Sequence, residues 1–183
     1  MRKSPGEEPG ADYSDAFRRI LARLELEQER AREERDGAAA RYDELMTIAP
    51  PAREAAIRND ERYASFALAT RLLDASLEVR LADPQAGLEL SRLALIVTER
   101  LDPGRYGAGL MADLKARCWA YLGDASGGSD PPGALQAFDR ARQHLVGGSG
   151  DPLAEAEVFC LEARLLEPSG GSEPVLGGPA RVH

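Results

Sequence analysis

Residues 117–141, RCWAYLGDASGGSDPPGALQAFDRA, decide how this chain folds. Leu114, just upstream, is followed by Cys118, Trp119 and Leu122 at the spacing of one helical face. SGGSD, residues 126–130, then interrupts the pattern. Asp130-Pro131 joins a capping carboxylate to a proline in the first helical turn, where its missing N–H costs nothing. Beyond it, Ala134, Phe138 and Ala141 line one face of a second helix. Its small residues let that helix pack closely against the first. The segment predicts a helical hairpin.

The same punctuation recurs along the chain. Asp83-Pro84 precedes Asp130-Pro131 by 47 residues, and Asp102-Pro103 precedes Asp151-Pro152 by 49. The helices that two of these pairs open also align, with Gly87, Leu88, Ser91 and Ala94 falling on Ala134, Leu135, Phe138 and Ala141. A helical hairpin repeated at a near-constant period is the mark of an α-solenoid.

These residues resemble the tetratricopeptide repeat (TPR) family, whose repeat has the form W-x2-L-G-x2-Y, then A-x3-F, then a later proline. Trp119, Leu122 and Gly123 match the first helix, and Ala134 and Phe138 match the second. Pro152 takes the place of the terminal proline. Ser126 stands where the family has Tyr, and GGSG (147–150) shifts the last proline out of register. The flanking hairpins are more degenerate: Phe159, Ala163 and Leu166 suit first-helix positions, and 60–101 keeps mainly the small-residue pattern. The resemblance covers about 60–167.

Outside that region, Phe17, Ile20, Leu21 and Leu24 make an i, i+3, i+4, i+7 stripe on a helix starting near Ser14. ELEQERAREERDG (25–37) is charged all round and predicts a solvated helix, its Glu33-Glu34 pair included. Gly37 is expected to break that helix before a second piece carrying Tyr42, Leu45, Met46 and Ile48, which Pro50 and Pro51 end. A short helix over about 51–59 follows. Asn59 or Asp60 is expected to cap a helix running to about Ala82, with apolar residues on two faces and therefore sandwiched between layers. A further helix is expected over about 106–125, with Tyr106, Leu110, Leu114, Cys118, Trp119 and Leu122 inward. No stretch alternates as a half-buried strand does. The expected fold is all-α: a disordered tail over 1–12, an N-terminal helical extension over 13–59, a TPR-like domain of stacked antiparallel hairpins over 60–167, and a disordered tail over 168–183.

Composition limits function. The 183 residues carry 31 acidic against 23 Lys and Arg, a net charge of −8. That balance disfavours nucleic acid and anionic membrane as partners, because both select positive charge. The longest strictly aliphatic run is Leu93–Val97, far short of a membrane span of about 20 residues. The first residues hold no apolar core of a secretory signal. Two cysteines, Cys118 and Cys160, make no disulfide framework. A soluble, cytoplasmic protein is expected. His144 and His183 have no acid or nucleophile at a catalytic spacing, and no Walker, G-x-S-x-G or H-E-x-x-H motif is present. No enzyme activity, cofactor or metal is expected.

The resemblance implies a binding scaffold whose first helices line a concave groove for an extended peptide or a partner helix. Its groove positions fall at Arg117, Ala120 and Asp124, with Thr70 and Arg80 on the preceding hairpin and Arg164 on the following one. A guanidinium held there can clamp a carboxylate bidentately. By analogy with bacterial helical-repeat domains, the partner belongs to a regulatory or signalling system. The alternative is a helical building block that oligomerises through its N-terminal helix. The C-terminal helix also lacks a successor to cover Val158, Leu161 and Leu165, so this edge is a second candidate contact.

Overall fold

The computed structural model describes residues 10–166, and every regular element in them is helical. Eight α-helices follow in order: α1 (Gly10–Thr47), α2 (Pro50–Asn59), α3 (Phe66–Val79), α4 (Pro84–Glu99), α5 (Pro103–Tyr106), α6 (Ala108–Ser126), α7 (Pro131–Val146) and α8 (Pro152–Leu166). The all-α class expected from the sequence holds. Residues 1–9 of the expected N-terminal tail, and all of the expected C-terminal tail over 168–183, lie outside the described residues; Gly10–Asp12 belong to α1.

The Asp-Pro pairs start helices as their chemistry requires. Asp83 accepts from Ala86 N at 3.0 Å, Asp130 from Gly133 N at 3.0 Å and Asp151 from Leu153 N at 2.9 Å. Each carboxylate satisfies a donor that has no partner within the first turn. Asp102-Pro103 differs, because it opens only the single turn α5. Gly107, at φ +84°, then redirects the chain into α6, so the expected helix over 106–125 begins at Ala108 instead.

Two further boundaries move. The helix expected from Asn59 or Asp60 starts at Phe66, where Ser65 accepts from Leu68 N at 3.2 Å. Asp60 caps a single 3-10 turn over Glu61–Tyr63. The break expected at Gly37 is absent, and α1 runs unbroken through it. Glycine inside a helix costs about 0.5–1 kcal/mol. Burying the adjacent Ala38, and Leu45 about two turns later, outweighs that. Arg41 folds back over the space left by the missing side chain, its Nη1 standing 3.1 Å from where a Cβ would be.

α3 with α4, and α6 with α7, form antiparallel hairpins. Ser76 late in α3 bonds to the Gly87 carbonyl at 2.8 Å and Ser91 Oγ at 2.7 Å early in α4. Gly123 late in α6 abuts Ala134 and Phe138 early in α7. The first helices run parallel to one another. Phe66 meets Tyr106 with ring centroids 5.7 Å apart, Arg117 meets Glu157, and Asp124 meets Arg164. Tyr106 ends α5 just before α6, and Arg80 at the end of α3 meets Asp124 late in α6, so α3, α6 and α8 run in one direction.

One apolar cluster joins the layers. Leu68, Leu72 and Leu73 of α3, Val97 of α4, Leu114 and Cys118 of α6, Phe138 of α7 and Val158 of α8 are almost fully buried in it. Leu45 of α1 and Ile57 of α2 belong to the same cluster, so 13–59 and 60–167 share a core. Val158 and Leu161, expected to lack cover, are buried and Leu165 is partly buried against the same core; Leu153 and Phe159 are large apolar residues of α8 that are exposed. Leu110, read as inward from periodicity, is exposed, as is Leu77 of α3, and Trp119 is half-buried beneath the Arg140 guanidinium at 4.4 Å. None of the described helices is long and apolar enough to cross a membrane.

Candidate functional site

Four of the five residues singled out from the sequence converge on the parallel row of first helices. Arg80, at the C-terminal end of α3, donates to Asp124 Oδ2 on α6, and Arg164 on α8 reaches Asp124 Oδ1 at 3.2 Å. One carboxylate thus ties three helices together. Two turns earlier on α6, Arg117 Nε donates to Glu157 Oε2 at 2.6 Å and its Nη2 to Oε1 at 3.2 Å. Tyr121 adds its hydroxyl to Glu157 Oε1 at 2.5 Å. Burial works to lower the pKa of Arg117, but its bonds and attraction to Glu157 outweigh this and raise it. Burial and the same carboxylate push the Tyr121 phenol up to about 12. The guanidiniums expected to clamp a ligand therefore hold carboxylates of the chain itself. Arg80 Nε remains buried without a hydrogen-bond partner.

Thr70 lies apart from this network. Its hydroxyl bonds back to the Phe66 carbonyl at 3.1 Å, and it lines a groove between α1 and α3. The groove encloses about 550 Å³. Its floor is Phe66, Thr70, Tyr106 and Leu110, and its α1 wall is built from Ala31, Ala38 and Ala39. Arg35, Arg71 and Asp74 stand at its rim, where Arg71 also lies 4.7 Å over the Tyr42 ring. Past Tyr106 and Leu110 it continues into a cleft of about 890 Å³ between α1 and the α5 turn, lined on the α1 side by Arg23, Glu27 and Arg30.

Glu34 stands where groove and cleft meet. It accepts from Ser65 Oγ at 2.8 Å, Ala67 N at 3.2 Å, Tyr106 Oη at 3.0 Å and Arg105 Nη2 at 2.8 Å. Burial alone would raise its pKa, but these donors and the Arg105 charge outweigh it and hold the carboxyl below its ordinary value. Glu34 ties the N-terminus of α3 and the α5 turn to α1, and so sets the shape of the groove. Sequence reading placed it on a solvated helix. A helix continued across Gly37 would have put Glu34, Ala38, Arg41 and Leu45 on one face at i, i+4, i+7 and i+11.

Among the described residues, no three or more His, Cys, Asp or Glu side chains are grouped to hold a metal ion. Asp124, Glu157 and Glu34 are each paired with donors of the chain itself. The small-residue wall and aromatic floor of the groove are open to new contacts and suit apolar side chains. Compared with family models, with curated proteins and with solved structures, the chain matches none.

Proposed function

We propose that the chain is a non-catalytic interaction scaffold of the TPR-like type, which takes the apolar face of a peptide or partner helix in the groove between α1 and α3. The groove itself carries this reading. Its alanine wall and its Phe66, Tyr106 and Leu110 floor offer apolar contact, while Arg35, Arg71 and Asp74 at the rim offer both charges for orientation. Gly123 packed on Ala134 and Phe138, and three first helices in parallel, support the likeness to the repeat family. The Arg80–Asp124–Arg164 and Arg117–Glu157 links fix the relative positions of those helices, and a pre-formed groove loses less entropy when it is filled. A bacterial regulatory or signalling setting in the cytoplasm rests on the resemblance and on the acidic, cysteine-poor composition.

Selection from a displayed peptide library against the purified chain tests this reading. Enriched peptides should share an apolar pattern at helical or extended spacing. Their binding should be lost in Leu110→Asp and in Ala67→Arg, which fill or charge the groove, and kept in Leu153→Asp on the remote face of α8. No enrichment of any common pattern, or binding indifferent to Leu110 and Ala67, would count against the groove.

A further inference from the structure

α1 reaches well beyond the helices that it covers. Residues 14–33 are exposed throughout, and among them Phe17, Ile20, Leu21 and Leu24 are 61%, 56%, 43% and 48% accessible. The four form a contiguous stripe at i, i+3, i+4 and i+7. It continues an interface that the fold already uses. Steps of seven residues lead from Phe17 to Leu24, Ala31, Ala38 and Leu45, and such steps drift by only about 20° each around a helix. Ala38 and Leu45 are buried against the body, at 5% and 0%. One face of α1 is therefore covered in its last third and bare in its first.

We infer that the bare third is covered by the same segment of a second copy, laid antiparallel. The stripe matches itself in that orientation when the two-fold axis passes between Ile20 and Leu21. Phe17 then rests on the partner's Leu24, and Ile20 on the partner's Leu21. Charge selects the direction as well. In the antiparallel pair Arg18 stands on the same flank as the partner's Glu25, and symmetry repeats this contact. A parallel, in-register pair would instead bring Arg18 against the partner's Arg23. Arg23 holds Glu27 of its own helix at 2.8 Å and Arg18 holds Asp15 at 2.6 Å, so in the pair Arg18 is shared between Asp15 and the partner's Glu25.

Space excludes the parallel pair a second time. Along α1 the body begins at the α5 turn, which faces Arg23, Glu27 and Arg30 across the cleft, and closes over the helix from Ala38 onward. A parallel partner would carry its own body into that volume. Antiparallel, residue 31 of one copy lies level with residue 10 of the other, so the two bodies stand toward opposite ends of the pair. The paired segments, about 22 residues, run for about 33 Å at 1.5 Å per residue.

Light scattering on the full chain over a dilution series tests the inference. The expected mass at high concentration is twice 19.7 kDa. The double variant Ile20→Asp/Leu24→Asp should stay at 19.7 kDa throughout, with unchanged helical circular dichroism, because both side chains already face water in the single copy. Arg18→Glu and Glu25→Arg should each weaken association by about tenfold, since two symmetric pairs turn repulsive, and the double exchange should restore it. A monomer at every concentration, or a dimer that persists in Ile20→Asp/Leu24→Asp, would overturn the proposal. Tighter association of Arg18→Glu alone would overturn the antiparallel arrangement. The inference stands apart from the groove, and peptide binding by the monomeric variant tests that reading separately.

Discussion

Gly123 of α6 meets Phe138 of α7 so closely that a Cβ on Gly123 would stand 2.8 Å from the ring carbon Cε2 and 3.1 Å from the Ala134 carbonyl. The φ of Gly123 lies in the ordinary helical region, so what the position requires is the absence of a side chain. Phe138 is fully buried, so its ring cannot swing aside into solvent. Gly123→Ala should therefore destabilise the fold by about 1–3 kcal/mol, the usual cost of overpacking, despite the better helix propensity of alanine. In a chain of this size that lowers the thermal midpoint by about 2–4 °C per kcal/mol. Adding Phe138→Leu should recover part of the loss in a double-mutant cycle. Strictly additive effects would show that the contact is not what limits the site.

Asp124 links α3, α6 and α8 through Arg80 and Arg164, and the two halves of this bridge should not be equal. The Arg80 and Asp124 side chains are 18% and 10% exposed, whereas Arg164 is 42% exposed. Asp124→Asn leaves the Arg80 guanidinium poorly partnered, with its Nε already lacking an acceptor. The expected loss is about 2–3 kcal/mol, between the values of exposed and fully buried pairs. Arg164→Ala should cost under about 1 kcal/mol. Chemical denaturation with both variants checks the order, and equal losses would contradict the burial argument.

Local chemistry was legible where one side chain acts on its own turn. Asp83, Asp130 and Asp151 cap helices because a carboxylate followed by proline has few better conformations. The hairpin of Gly123, Ala134 and Phe138 was legible because small residues at fixed spacing imply close packing. Periodicity misled where a helix has more neighbours, or fewer, than its pattern implies. Leu110 fits an inward stripe yet lines an open groove, and Val158 is buried because α6 and α7 together cover it. Gly37 was read as a breaker because propensity is local, whereas burial of Leu45 is tertiary. That single boundary also hid Glu34, whose donors come from residues 31 to 72 positions away. Arg80, Asp124 and Arg164 were found by repeat position, but their pairing with one another was not, because spacing along the chain does not tell a groove contact from an interhelical one.

Strong acid should loosen the junction of α1 with α3 and α5. The folded state holds the Glu34 carboxyl below its ordinary value, so its contribution is present above the unfolded glutamate pKa of about 4.3 and fades as pH falls through the folded value. At neutral pH Glu34→Gln should lower stability by about 1–2 kcal/mol, because charge-assisted bonds from Arg105 and Tyr106 become neutral ones. Thermal midpoints of the wild type and the variant should converge below about pH 4. A gap that stays constant from neutral to strongly acid pH would assign the loss to shape and not to charge.

The two thiols should differ sharply in reactivity. Cys118 is fully buried in α6, its Sγ 3.6 Å from Thr98 Oγ1, and burial pushes its pKa up to about 12. Thiolate is the reacting form, so Cys118 combines a negligible thiolate fraction with no solvent access. Cys160 is exposed on α8. A chromogenic disulfide reagent at neutral pH should titrate one thiol per chain quickly, and Cys160→Ser should abolish that phase. The second thiol should react only at the rate of opening of the core around α6, so denaturant should accelerate it in step with unfolding. Fast reaction of two thiols in the native protein would mean that α6 is not sealed between α4 and α7.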